Sequence, residues 1–405
     1  MLGDTSTYAY EGGYARFYIV PEEGTYYIQN VGSGRYVDVE GPSLNDGAAI
    51  HEWDFRTNPQ EKWIVEHVAN SDGYIRLKSV FSNKYIGIDP NALSYVKQYA
   101  AQNNYTLWRI ERTSSGNLTS QCKVYQGTDA VLTVPSSSTS NGTNLIMAVY
   151  TDNATYTDEW LVYKCNYIFY VNHYYDQGYV ARFSSIDSNV EGLLKTYQND
   201  VAERFLYLFG IEVSPSYSLC TSTADLCKID QYGVVDYTHL TGDCPHTTTH
   251  LTRAALRSTM PVGSAISTTV IWTGHTMPGN PSPSSTCTTT QMVVITPQNT
   301  TIVNKTDGSV SNKSEYNITR ESIFDSMHEL SHELGAPDHY CRDMDSNNCG
   351  NSHCYRCVYG LQDEPDCIMS SFRNDLIPRP YEDIYCEDCI SIIINHLNLH
   401  HQKGE

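Results

Sequence analysis

Residues 328–338, His-Glu-Leu-Ser-His-Glu-Leu-Gly-Ala-Pro-Asp, hold the densest set of metal-binding and proton-transferring groups in the chain. Side chains four apart on a helix share one face, about 5–6 Å from each other, so His328 and His332 offer two imidazoles to one ion. Glu329 lies beside them, placed to take a proton from a metal-held water. Gly335 can end the helix in the left-handed conformation, and Pro337 lacks the N–H that would continue it. The resulting turn brings Asp338 back toward the imidazoles. Three protein ligands and one open position are what a catalytic zinc requires.

A helix must present these groups, and its packing stripe is visible in Ile323, Met327, Leu330 and Leu334. Thr319 is a candidate N-cap. An ordinary amphipathic helix with surface histidines would show the same stripe. Upstream, Tyr167–Val171 reads as a central strand, and Ile186, Val190, Leu193, Leu194, Tyr197, Val201, Phe205 and Leu208 as a long helix ending at Gly210. Ile211–Val213, Thr268–Trp272 and Met292–Ile295 read as further strands, with Met292 on an edge open to an extended peptide. Residues 273–291 and 297–317, rich in Ser, Thr, Pro and Asn, read as exposed loops. His173 and His275 have no identifiable partner in the sequence, and His246 and His250 read as solvated.

The pattern HExxHxxGxxD resembles the zinc signature of the metzincin metallopeptidases. Its aspartate and the continuation Gly-Ala-Pro-Asp-His-Tyr are most similar to the snapalysin type. Cys367-Ile368-Met369-Ser370 resembles the methionine turn of the same clan. The resemblance implies an α+β zincin catalytic domain over residues 166–405, with one Zn2+ held by His328, His332 and Asp338, the adjacent His339 pointing elsewhere. It implies Glu329 as general base and Met369 as packing beneath the metal. Ser371 stands where astacin-like and serralysin-like members place a tyrosine.

Before residue 166 the chain is repetitive. Trp63, Trp108 and Trp160 open Trp-Ile-Val, Trp-Arg-Ile and Trp-Leu-Val at separations of 45 and 52 residues. Each closes a unit of short alternating segments divided by Gly, Ser, Asn and Asp, the mark of strands and turns. Tyr36–Val39, Tyr85–Ile88 and the more worn Val131–Val134 are corresponding segments. The set resembles a ricin-type β-trefoil over residues 21–165, with residues 1–20 an N-terminal extension. That resemblance implies a sugar site in the first repeat from Asp38, Trp53, Asn58 and Gln60, with the carboxylate accepting from hydroxyls and the aromatic stacking on a pyranose. Asp89 and Tyr99 are the second repeat's candidates, and the third has Thr133 where an acid is expected. The three repeat tryptophans themselves read as core.

Composition narrows the partners. A formal net charge of −20 over 405 residues argues against nucleic acid or an anionic membrane, and no run of eighteen apolar residues suggests a span. Of thirteen cysteines, twelve follow residue 160, which points to an oxidising compartment and a disulfide-stapled second half. Cys341, Cys349, Cys354 and Cys357 lie in a Cys-rich insertion at 341–367, where with His353 they suit either disulfides, the stronger reading, or a second zinc; Cys386 and Cys389 form a structural CxxC. Eight Asn-x-Ser/Thr sequons, among them Asn117, Asn141, Asn299 and Asn317, are acceptors if the chain passes through a eukaryotic secretory pathway.

The combined expectation is a multidomain, secreted zinc endopeptidase acting on extracellular proteins or glycoproteins, targeted by a carbohydrate-binding trefoil. The alternative is a glycan-binding adhesin or lectin whose second half is a non-catalytic scaffold.

Overall fold

A computed structural model describes residues 5–11, 14–71, 73–113, 118–122, 130–150, 155, 157–220, 266–272, 284–287, 292–295, 301–303, 310–312, 323, 326–336, 367, 369 and 385–400. The chain divides into two compact units, Met1–Cys165 and Asn166–Glu405.

The first unit is all β. A hairpin of β1 (Thr5–Glu11) and β2 (Tyr14–Val20) precedes three repeats, the first two of four strands and the third with a short fifth. The first repeat is β3 (Gly24–Asn30), β4 (Tyr36–Val39), β5 (Ile50–Trp53) and β6 (Trp63–His67). The second is β7 (Ile75–Ser79), β8 (Tyr85–Ile88), β9 (Val96–Tyr99) and β10 (Trp108–Arg112). The third is β11 (Leu118–Cys122), β12 (Ala130–Thr133), the short β13 (Thr143–Asn144), β14 (Ile146–Val149) and β15 (Trp160–Lys164). The outer strands close a six-stranded antiparallel barrel in the order β3-β6-β7-β10-β11-β15 and back to β3. The inner pairs β4–β5, β8–β9 and β12–β14 are hairpins. The hairpin β1–β2 joins through β2, which pairs with β10, so residues 5–20 extend the sheet.

Repetition is physical as well as textual. Trp63, Trp108 and Trp160 are fully buried, and their indole N–H groups donate to the carbonyls of Val37, Ile86 and Leu132 at 2.9, 2.8 and 3.1 Å. Those acceptors occupy the same place in each hairpin. Each tryptophan therefore ties the last strand of its repeat to that repeat's hairpin and fills the common core with Ile28, Val39, Ile50, Ile88, Val96, Val134 and Leu145.

The second unit carries a five-stranded sheet in the order β17-β16-β18-β20-β19. Its strands are β16 (Tyr167–Asp176), β17 (Ile211–Cys220), β18 (Ile266–Trp272), β19 (Ser284–Cys287) and β20 (Met292–Ile295), all parallel except β19. Between β16 and β17 run α1 (Gln177–Phe183) and α2 (Val190–Phe209). Asn189 caps α2 by accepting from Gly192 N–H, and Gly210 ends it at φ 64°. Phe205 of α2 packs on Phe169 of β16 with ring centroids 6.5 Å apart. A further hairpin pairs β21 (Thr301–Val303) with β22 (Val310–Asn312). The helix bearing His328, Glu329 and His332, α3, is described over 326–333, and α4 (Glu387–His400) lies downstream.

Several sequence expectations change here. The long helix begins at Val190, because Ile186 lies in the turn after α1. Strand β20 is not the sheet edge: β19, inside a stretch read as loop, pairs outside it. The second stretch read as loop contains β21 and β22.

Candidate functional site

In α3 the predicted apolar stripe is buried at Met327, Leu330 and Leu334. Neighbouring elements hold it by specific bonds. Gln198 of α2 donates to Ser326 Oγ at 3.0 Å. Ser331 Oγ donates to the Met327 carbonyl at 2.5 Å and meets Tyr385 Oη at 2.6 Å, so the tyrosine is the donor in that pair. Tyr385 in turn packs edge-on against Phe209 of α2.

The helix brings His328 and His332 together with ring centroids 4.8 Å apart and planes at 89°. His328 and Glu329 are buried and His332 is half-buried. Gly335 sits at φ 88°; its N–H bonds the His332 carbonyl and the Ala336 N–H bonds the Ser331 carbonyl, both at 3.0 Å. These are the two bonds of a Schellman C-cap, which makes the glycine's left-handed conformation a requirement. The cap does more than stop the helix. Ala336 O lies 2.7 Å from His332 Nδ1, and since a carbonyl only accepts, Nδ1 carries the proton and Nε2 is the nitrogen of the ring that could ligate a metal. Two imidazoles, one with its tautomer set by the backbone, beside a buried carboxylate are a donor set that fits zinc. Asp338, His339, Cys341, Cys349, His353, Cys354, Cys357 and Ser371 lie outside the described residues; Met369 is fully buried.

Cys386 and Cys389, which introduce α4, are joined by Cys367, a partner that spacing did not reveal. The three sulfur atoms lie within 4.8 Å of one another, and Cys367 Sγ is 3.8 Å from Cys389 Sγ. Hydrogen bonding to Cys386 and burial push the Cys367 thiol up to about 12. Three clustered sulfur donors are a set that suits zinc, provided a fourth donor joins them. His173, which has no partner in sequence terms, is a core residue: Trp272 Nε1 donates to its Nδ1 at 3.1 Å and Tyr217 stacks on it at 5.0 Å. Burial holds its pKa down to about 3, so it is neutral.

In the first unit, strand register puts Tyr36 opposite Trp53 and Asp38 opposite His51. Asp38 is buried, and its Oδ1 has no hydrogen-bond partner among the described residues. Trp53 is half-buried and packs beside Gly142 of the third repeat, whose added Cβ would lie 3.5 Å from the indole. Asn141, one of the sequons, fixes that wall: its Oδ1 accepts from Arg35 Nε at 2.9 Å and Asp54 N–H at 2.8 Å. Asn58 and Gln60 lie on the 3-10 turn Pro59–Glu61, with Asn58 at its N-cap and making no side-chain cap bond. The described contacts do not join either to Asp38. Arg56 and Glu61, absent from the sequence-based site, reach it instead. Arg56 Nη2 donates to Asp38 Oδ2 and its Nε to Glu61 Oε1 at 3.0 Å. Burial raises the Glu61 carboxyl to about 8, against two hydrogen bonds from Arg56 that pull it down.

The other repeats lack this arrangement. Tyr85-Ile86-Gly87-Ile88 aligns Gly87 with Asp38, and a Cβ there would meet Tyr105 O at 2.8 Å. Asp89 lies beyond the strand, paired to Lys97 at 2.6 Å. In the third repeat Thr133 holds the place of the acid and donates to the Val131 carbonyl.

A family model for ricin-type beta-trefoil lectin-like domains matches twice, over residues 14–89 and 59–148. No curated protein matches the chain. Solved structures similar to the first unit include the designed three-fold symmetric protein ThreeFoil, at 24% identity over 34% of this chain and 97% of its own, with a TM-score of 0.32. Others are the Rhizoctonia solani agglutinin, at 22% identity over 36% and 98% with a TM-score of 0.31, and the earthworm R-type lectin C-half in complex with GalNAc, at 18% over 34% and 97% with a TM-score of 0.27.

Proposed function

We propose that this chain, whose residues 14–148 form a ricin-type β-trefoil lectin-like domain, is a secreted zinc endopeptidase that binds carbohydrate through the trefoil and cleaves extracellular proteins or glycoproteins with its second unit. The observation that carries the hydrolytic half is the bond between His332 Nδ1 and Ala336 O, which supplies the orientation a ligating histidine needs. His328, His332 and Asp338 would hold the ion. A zinc ion there polarises a peptide carbonyl and acidifies water. Glu329, one residue from His328 on the same helix and buried, takes a proton from the attacking water and delivers it to the leaving amine. Met369 acts by packing. Carbohydrate binding is supported by the family match, by the unpartnered Asp38 oxygen and by the half-buried Trp53 face.

The second reading, a glycan-binding adhesin with a scaffold in place of an enzyme, is favoured by the family match being confined to residues 14–148. One experiment separates them. Wild type and Glu329→Ala are incubated with glycosylated and bare proteins, new N-termini are mapped by mass spectrometry, and zinc content is measured. Cleavage by wild type that disappears in the variant while zinc stays is the expected result. No cleavage by zinc-loaded wild type would leave the adhesin reading, which a glycan array then tests.

A further inference from the structure

Arg56 bridges the two groups expected to meet a sugar. Its guanidinium carbon lies 4.7 Å from the Trp53 ring centroid, while Nη2 donates to Asp38 Oδ2. Glu61 anchors the other side, accepting from Arg56 N–H at 2.8 Å and from Arg56 Nε at 3.0 Å. The Arg56 side chain is 33% exposed, against 1% for Asp38. His51 Nε2 also lies beside the carboxylate, 3.6 Å from Asp38 Oδ2.

A pyranose held by an aromatic and an aspartate lays an apolar C–H face on the ring and donates hydroxyl hydrogens to the carboxylate. A guanidinium makes the same pair of contacts: it is planar, weakly hydrated on its faces, and donates in its own plane. Arg56 thus satisfies Trp53 and Asp38 in the manner of a ligand. In the second repeat Gln102, just ahead of the equivalent 3-10 turn, donates to Tyr85 Oη.

We propose that Arg56 is a built-in competitor for the carbohydrate site, occupying on Trp53 and Asp38 the place that a neutral pyranose takes and swinging out as the sugar enters. The inference rests on the carbohydrate-binding reading of the first repeat. It commits to a neutral sugar because a sugar carboxylate would be set beside Asp38, whose Oδ1 is already without a donor. A ligand that must first displace an internal occupant binds more weakly by the fraction of time the site stands open. A glycan on a multivalent surface offsets that handicap by avidity, whereas a free monosaccharide binds with it in full.

The test uses the full chain, with Arg56→Gln, Arg56→Lys and Trp53→Ala, and follows binding by isothermal titration calorimetry against methyl glycosides of galactose, N-acetylgalactosamine, glucose, N-acetylglucosamine and mannose, plus sialic acid. Lysine keeps a cation for Asp38 but offers no flat face to Trp53, so it guards against misfolding of the glutamine variant. Arg56→Gln and Arg56→Lys are expected to bind a neutral glycoside about tenfold more tightly than wild type, with Trp53→Ala abolishing binding. In wild type, the Arg56 Nε–H resonance should shift on saturation as its bond to Glu61 breaks. Equal or weaker binding by both Arg56 variants, or binding of sialic acid alone, overturns the competitor. Failure of wild type and both Arg56 variants to bind any glycoside refutes the carbohydrate reading of this repeat itself, and the competitor falls with it.

Discussion

Gly335→Ala tests how the helix cap supports the proposed metal site. An alanine at φ 88° bears the left-handed penalty of an L-residue, about 1–2 kcal/mol. Its Cβ would also lie 3.0–3.3 Å from Nδ1, Cγ and Cβ of His396 on α4, so the turn or the imidazole must give way. A clash of that depth adds about 1 kcal/mol. The turn cannot move alone, because Ala336 O, one residue on, fixes His332 Nδ1. Loss of such an outer contact typically weakens metal binding 10–100-fold, or about 1.4–2.8 kcal/mol. Two assays separate the terms: urea unfolding of metal-free protein reads the backbone and steric costs, and competition with a chromophoric chelator reads zinc affinity. His396→Ala, alone and combined with Gly335→Ala, closes a double-mutant cycle in which the double variant recovers the steric part only. If Gly335→Ala leaves zinc affinity within twofold of wild type, the Ala336 carbonyl does not orient His332, and His332 is not a prepared ligand.

Further predictions concern the trefoil and the helix contacts. Trp63→Phe, Trp108→Phe and Trp160→Phe each strand a buried carbonyl and should cost about 1–3 kcal/mol in urea unfolding, to similar extents; one silent substitution would break the equivalence of the three repeats. Glu61 has a folded pKa of about 8 above its ordinary 4.5, so the folded state holds this proton more tightly. Its contribution is complete below about pH 4.5 and is lost as pH rises through about 8, so the fall in stability over that window should flatten in Glu61→Gln. Gly87→Asp, which writes the first repeat's acid into the second, should destabilise the trefoil without creating a sugar site, since the Cβ meets the Tyr105 carbonyl; wild-type melting temperature would contradict this. Ser331→Ala leaves the buried Tyr385 hydroxyl without its acceptor and should cost about 1–3 kcal/mol.

Much of this structure is legible in residue order where one residue type has one physical use. A tryptophan repeating ahead of alternating segments needs burial and a carbonyl for its N–H, and all three find both. Gly335 after a helical stripe caps the helix as its spacing predicts. Elsewhere the determinant is not local. Strand β19, Ser284–Cys287, has no apolar alternation to announce it and is defined by its backbone pairing with β20. Seeking the second repeat's acid by type leads to Asp89, whereas the matched strand places Gly87 there. Arg56 sits in the irregular segment after β5, where its charge carries no periodic signal, and only the fold shows that it reaches Asp38 across 18 residues. Cys367 meets Cys389 across 22 residues by the return of α4, which no spacing rule specifies.

Closure of the barrel has a kinetic consequence. Strand β3 pairs with β15, and Asn30 Nδ2 donates to the carbonyls of Thr157 and Glu159, 127 and 129 residues away. At usual elongation rates roughly 6–26 s separate the synthesis of those partners. Throughout that interval one long edge of β3 has no neighbour on its β15 side, and the emerging chain offers it to any other strand within reach. Contacts so distant in the chain also place the trefoil among slow folders. Substitutions in β15 should therefore lower the yield of soluble protein more than they lower the denaturation midpoint of the molecules that do fold, because β15 is the latch whose late arrival ends the exposure.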